Sequence, residues 1–142
     1  MATTEPILKI DNLRVEFRGN GLKDEVKVAV DGLSLVVNAG EVFGFLGPNG
    51  AGKTTTMNVL LGFVPPTSGT AYIFGSDVSQ PIARQRIGYL PELTYYYRFL
   101  TPEEILRFYG RIFRLPKDVL EKRIDEVIKL VELEHARKRQ IK

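Results

Sequence analysis

Apolar and polar positions alternate from Ile7 to Phe17, where Leu8, Ile10, Leu13, Val15 and Phe17 recur with mostly two-residue spacing. That period predicts a strand with one small irregularity. Arg18 to Glu25 is polar and holds Gly19, Asn20 and Gly21, which predicts a hairpin loop. Val26, Val28 and Val30, then Leu33, Leu35 and Val37, predict two strand pieces around a turn at Asp31-Gly32. Asn38-Ala39-Gly40 predicts another turn. Together these segments predict a small antiparallel β-subdomain over residues 1–40.

The pattern changes at Glu41. Residues 41–46 (EVFGFL) are nearly all apolar, the signature of a strand buried on both faces. A glycine-rich run follows, then a helix-compatible stretch from Thr54 to Leu61, closed by Pro65-Pro66. Strand, glycine loop and helix form the opening of a parallel α/β unit, here 41–92. Within it Ser68-Gly69 predicts a turn, Thr70 to Phe74 a strand, Ile82 to Arg86 a short helical turn and Ile87 to Leu90 a short strand. Beyond it, over 93–142, the periodicity becomes helical. Thr101, Pro102 and Glu104 stand at the N-cap, first and third positions of a capping box. Ile105, Leu106, Phe108, Tyr109 and Ile112 give one apolar face; after Pro116, Leu120, Ile124, Val127, Ile128 and Val131 give a second.

Composition narrows the classes. The chain has 142 residues, 44% of them hydrophobic, enough for one domain with a core. Its net charge of +3 comes entirely from residues 114–142, which carry 9 basic and 6 acidic side chains. A nucleic-acid binder of this size shows a larger or more focused positive stripe. Arg137, Lys138, Arg139 and Lys142 are expected to form a solvated helix end. No nucleic-acid partner is expected. The absence of cysteine excludes disulfides and thiolate metal sites. No apolar run approaches the ~20 residues of a membrane-spanning helix. His135, the only histidine, is expected on a solvated helix.

Chemistry concentrates at Gly47-Pro48-Asn49-Gly50-Ala51-Gly52-Lys53-Thr54, a full match to G-x-x-x-x-G-K-[ST]. Phosphates are dense with negative charge, and a loop of small residues lets backbone N–H groups turn inward to them. Glycines take conformations that a β-carbon blocks, and the following helix directs its positive end at the same phosphates. Lys53 is expected at the β/γ oxygens, the Thr54 hydroxyl on Mg²⁺, and Thr55 at the α-phosphate.

The flanks GPNGAGKTTTMNVLLGFVPPTSGTAYIFG (47–75) and VAVDGLSLVVNAGEVFGFLGPNG (28–50) strongly resemble the ABC ATPase family. The resemblance implies an α/β P-loop NTPase fold with an antiparallel β-subdomain, a P-loop core and the start of a helical subdomain. It implies ATP and Mg²⁺ as cofactors. It also implies an adenine stacked on Phe17, with Val28 near the ribose and base; the alternative for both is a core position in the β-subdomain. Ile87-Gly88-Tyr89-Leu90-Pro91 resembles the approach to the family's Q-loop, with Glu92 in place of glutamine. Glu92 is then a candidate magnesium or water ligand and, with Lys53, a candidate catalytic residue; its alternative is an exposed loop glutamate. IGYLPE looks most like a drug- and lipid-exporter branch with separate transmembrane subunits. Tyr95, Tyr96, Tyr97 and Phe99 suit an interface with such a subunit, or pack inside the helical subdomain.

The implied partners are a second nucleotide-binding domain and a transmembrane permease. The implied location is cytoplasmic, on the inner face of the membrane through that permease. The family's signature motif, Walker B strand, catalytic glutamate and switch histidine are absent from these 142 residues. Hydrolysis by this stretch alone is therefore expected to be negligible, and its folding marginal. The competing expectations are a truncated fragment that binds nucleotide or dimerises without turnover, and a soluble ABC ATPase without a transport role. A small GTPase or kinase is disfavoured by these flanks and by the missing N-K-x-D pattern.

Overall fold

The computed structural model describes residues 6–19, 25–92 and 95–141. They fall into two compact units, Met1–Tyr89 and Leu90–Lys142. In the first unit, strands β1 (Leu8–Arg18), β2 (Val26–Val37), β3 (Ser68–Ile73) and β4 (Ser76–Asp77) form one sheet in the order β2-β1-β3-β4. Every neighbouring pair is antiparallel. Helix α1 (Lys53–Leu60) contributes Val59 and Leu60 to the core beneath the sheet. Ile10, Leu13, Val15, Val30, Ala71, Ile73 and Val78 supply the rest.

The irregularity expected in β1 sits at Asn12, whose φ is 48°. Register moves from Ile10↔Leu35 to Leu13↔Leu33 against β2, and from Asp11↔Thr70 to Arg14↔Ser68 against β3. The extra residue is a β-bulge, and it returns both Ile10 and Leu13 to the buried face despite their odd spacing. The sheet adapts opposite it. Gly69 has φ +79°, and a Cβ there would lie 2.2 Å from the Asn12 carbonyl oxygen. Ser68-Gly69, expected as a turn, is therefore the opening of β3. Asp31-Gly32 corrects in the same way: β2 runs unbroken through it, with a register shift between Leu13↔Leu33 and Val15↔Val30. The hairpin expected at 18–25 is closed by Gly19 N donating to Glu25 O at 3.1 Å; residues 20–24 lie outside the described ones.

Two expected strands do not form. Residues 41–46 and 87–90 carry no regular secondary structure. Val42 and Leu46 are 104% and 90% exposed. A strand buried on both faces needs a partner on each side and layers above and below. No described strand pairs with 41–46, and of its apolar side chains only Phe45 is half-buried. The sheet that does form is antiparallel throughout, and the parallel pairing expected of 41–92 is absent among the described residues. The helical turn expected at Ile82 to Arg86 appears as a 3-10 turn over Pro81–Arg84.

The second unit holds α2 (Pro102–Ile112), α3 (Lys117–Leu130) and a 3-10 turn at Glu134–Ala136. The capping box is present in both directions: Glu104 N donates to Thr101 Oγ1 at 3.3 Å, and Thr101 N to Glu104 Oε2 at 2.8 Å. Such a cap stabilises a helix by about 1 kcal/mol. Leu120, Ile124 and Ile128 form the core with Leu106, whereas Val127 and Val131 are exposed. Polar contacts also join this unit. Arg107 forks onto Glu121 at 2.8 and 2.7 Å and reaches Glu103 at 2.6 Å. Arg137 donates to Glu103 and Asp125, each at 2.6 Å. Arg137 is thus a clasp between segments rather than part of a solvated patch. His135 is exposed in its 3-10 turn, as expected.

Candidate functional site

The glycine loop follows the Asn38-to-Glu41 turn, where Asn38 N and Nδ2 donate to the Glu41 carboxylate at 2.9 Å each. Those two bonds, the side-chain one foremost, hold the Glu41 carboxyl below its usual range. Within the loop, Ala51 N donates to Pro48 O at 3.2 Å, so Pro48 to Ala51 turn tightly. Gly50 and Gly52 have φ +86° and +84°, in the left-handed region. Gly52 is doubly constrained, because a Cβ there would come 2.3 Å from the Ala29 carbonyl oxygen. The loop is thereby seated against β2 through its last glycine.

Gly52 is also the N-cap of α1, and no side chain caps that end. The first turn holds no acidic residue. The amides of Lys53, Thr54 and Thr55 precede the first carbonyl that an α-helix supplies, so they remain donors for an external acceptor. Thr56, one residue further on, is 2% exposed; its backbone N and Oγ1 both donate to Gly52 O, at 2.8 and 3.0 Å. Thr56 fills no position of the loop motif, and only its place directly after Thr54 and Thr55 marks it in the sequence. Lys53 folds back along the loop, and its Nζ donates to Gly47 O at 2.6 Å and Pro48 O at 2.8 Å. Gly47, Pro48, Lys53 and Gly52 are therefore brought together around one helix end, with Asn49, Gly50 and Ala51 exposed on the turn between them.

Phe17 is 44% exposed near the end of β1, and Val28 is 42% exposed on β2. Neither is among the buried core residues. Val28 lies one residue from Ala29, against which Gly52 packs, so this part of β2 adjoins the phosphate loop. The register is more specific than the sequence allowed: Val28 is opposite Glu16, and Lys27 is opposite Phe17. Glu92 is exposed and belongs to the second unit. Tyr95, Tyr97 and Phe99 are 92%, 64% and 66% exposed, so these rings are not packed inside that unit. Tyr97 and Phe99 lie 5.6 Å apart in a tilted pair.

Comparison with known proteins decides between the classes that share such a loop. The family model for ABC transporters matches residues 30–142. The chain belongs to the ABC transporter family. It is 38% identical over 130 residues to an uncharacterized ABC transporter ATP-binding protein of a Nostoc species, covering 92% of this chain and 39% of that protein. It is 40% identical over 136 residues to ABC transporter A family member 7 of Arabidopsis thaliana, covering 94% of this chain and 14% of that one. The chain thus spans two fifths or less of these relatives. Among solved structures, the ATP-binding subunit of an ABC transporter superposes with a TM-score of 0.72 at 26% identity, over 94% of this chain and 54% of that one. A dimeric ATP-binding cassette in a post-hydrolysis state, with ADP and phosphate bound, superposes with a TM-score of 0.74 at 24% identity and attests the fold. The α/β ATP-binding fold of ABC transporters is therefore this chain's fold, present in part. Among the described residues no helix is long and apolar enough to cross a membrane, and no group of three or more His, Cys, Asp or Glu is gathered for a metal.

Proposed function

We propose that residues Gly47–Thr55 bind the phosphates of ATP, and that this chain is part of the ATP-binding subunit that powers a membrane transporter. One observation carries the proposal: the glycine loop delivers an uncapped, acid-free helix end and the Lys53 ammonium to the same point. A polyanion satisfies both, exchanging the Gly47 and Pro48 carbonyls for phosphate oxygens at Lys53 and taking the free amides of α1. Phe17 offers a ring face to the base, and its cross-strand partner is Lys27; Val28 pairs with Glu16, one step along the strands. Mg²⁺ fits this donor set through the Thr54 hydroxyl and phosphate oxygens; magnesium is commonly held by few protein groups. When bound, it supplies charge neutralisation between the phosphates.

In the complete protein the residues act by position. Lys53 orients the terminal phosphates and the loop amides fix their register; the resemblance alone gives Glu92 a part, as the counterpart of the family's Q-loop glutamine. A second nucleotide-binding domain and a transmembrane permease complete the machine, with the exposed Tyr95–Tyr97 cluster facing the permease on the cytoplasmic side. IGYLPE favours the exporter branch. The exposed 41–46 segment favours a second reading for these 142 residues taken alone: nucleotide binding without turnover. Turnover measured on the full-length protein and on this chain tests both. Full-length hydrolysis abolished by Lys53→Ala, with none from the short chain, is the expected result; hydrolysis indifferent to Lys53 would refute the site.

A further inference from the structure

We infer that Lys27 reads the nucleotide base: its ammonium donates to the acceptor edge of a purine stacked on Phe17 and sets the site's preference between guanine and adenine. The inference rests on the proposed ATP site and deepens it. Its starting point is register. Phe17 and Lys27 are direct partners across β1 and β2, and antiparallel partners project to the same face with Cβ atoms about 4.5–5.5 Å apart. Both side chains are exposed. Strand β2 is at the edge of the sheet, and the pairing of β1 with β3 ends at Arg14↔Ser68, so no third described strand runs alongside this pair.

The phosphate loop sets the distance. Gly52 is seated on Ala29, two residues from Lys27, or about 7 Å along a strand that rises roughly 3.4 Å per residue. A nucleotide with its phosphates on the loop runs its sugar along that interval and brings its base to Phe17. The lysine stem lies along apolar surface while its head reaches outward, which puts the ammonium at the rim of a base stacked on the ring. What that head can bind is a matter of base chemistry. Guanine presents two adjacent acceptors, O6 and N7, to a cation, whereas adenine presents N7 beside an amino donor. A lysine at this position favours guanine and tolerates adenine, and the missing N-K-x-D pattern fits a site that does not select guanine alone.

Calorimetric titration of the full-length protein with Mg-ATP and Mg-GTP tests this. The wild type is expected to bind the two within about tenfold of each other. Lys27→Met, which keeps the stem and removes the charge, should weaken GTP about tenfold and ATP less than threefold, within the range for one such contact. Lys27→Arg should retain both. An unchanged GTP-to-ATP ratio in Lys27→Met, equal loss of both nucleotides, or a wild type that rejects GTP more than a hundredfold would each overturn the inference. Phe17→Ala and Lys53→Ala separate the two levels. If both leave binding intact, the site itself is misplaced; if both weaken ATP while Lys27→Met leaves the ratio alone, only the role of Lys27 falls.

Discussion

Two stretches of this chain are expected as strands from different signals, alternation and a continuous apolar run, and only the first becomes a strand. Residues 8–18 alternate and are paired on both sides, by β2 and β3. Residues 41–46 are more apolar, yet they stand unpaired and largely exposed. Hydrophobicity is thus not what makes the difference. A strand's backbone donors and acceptors require partners outside the segment, and the alternating strand finds them within the first unit. The apolar run is the one that leads into the phosphate loop. The helix end is well built, while the approach to it lacks the support that would fix its position.

Substitution in the two stretches should give opposite results. Leu13 is fully buried and 0% exposed; Leu13→Ala should destabilise the first unit by about 2–5 kcal/mol in urea denaturation followed by circular dichroism. Val42→Ala should shift the same curve by less than about 0.5 kcal/mol. Equal effects would break the comparison, because they would mean that 41–46 is buried after all. The bulge offers a second cut. Gly69→Ala adds a Cβ against the Asn12 carbonyl at a positive φ, and should cost about 1–3 kcal/mol by the same measurement. A neutral result would mean that β1 and β3 do not meet in this register.

Much of this was legible in the sequence because it is local. The alternation of β1, the capping box at Thr101 and the phosphate loop each depend on residues within one turn or strand. What was not legible depends on contact between distant segments. Ser68-Gly69 and Asp31-Gly32 look like turns and become parts of strands, the first opposite the bulge of β1 and the second where β2 takes an extra residue of its own between Leu33 and Val30. Gly62 has a local reason for being glycine, its φ of 72° just past the end of α1, and a distant one that the sequence hides: a Cβ there would strike the Arg84 guanidinium, which donates to Val78 O. The pairing of Lys27, rather than Val28, with Phe17 likewise follows from a register shift between Val15 and Glu16 that no periodicity reveals.

The helical unit sharpens the lesson from the polar side, with a smaller expected effect. Arg137, and then Arg107, hold the Glu103 carboxyl down to about 2 from an ordinary 4.5. A carboxyl whose folded value is depressed contributes stability that is complete above about 4.5 and is lost as pH falls toward 2. Acid titration of the second unit's helical signal should therefore show a loss in that window. Glu103→Gln should flatten it and cost on the order of 1 kcal/mol at neutral pH. An identical acid profile in the variant would show that the clasp is not what joins 134–141 to α2.

The central claim is that Lys53 and the end of α1 hold the phosphates of ATP. Equilibrium titration of the full-length protein with a fluorescent ATP analogue in the presence of Mg²⁺ tests it most directly, comparing wild type with Lys53→Ala. A loss of affinity of at least about tenfold, the scale of one charge-assisted contact to phosphate, is the predicted result. Unchanged affinity would contradict the account.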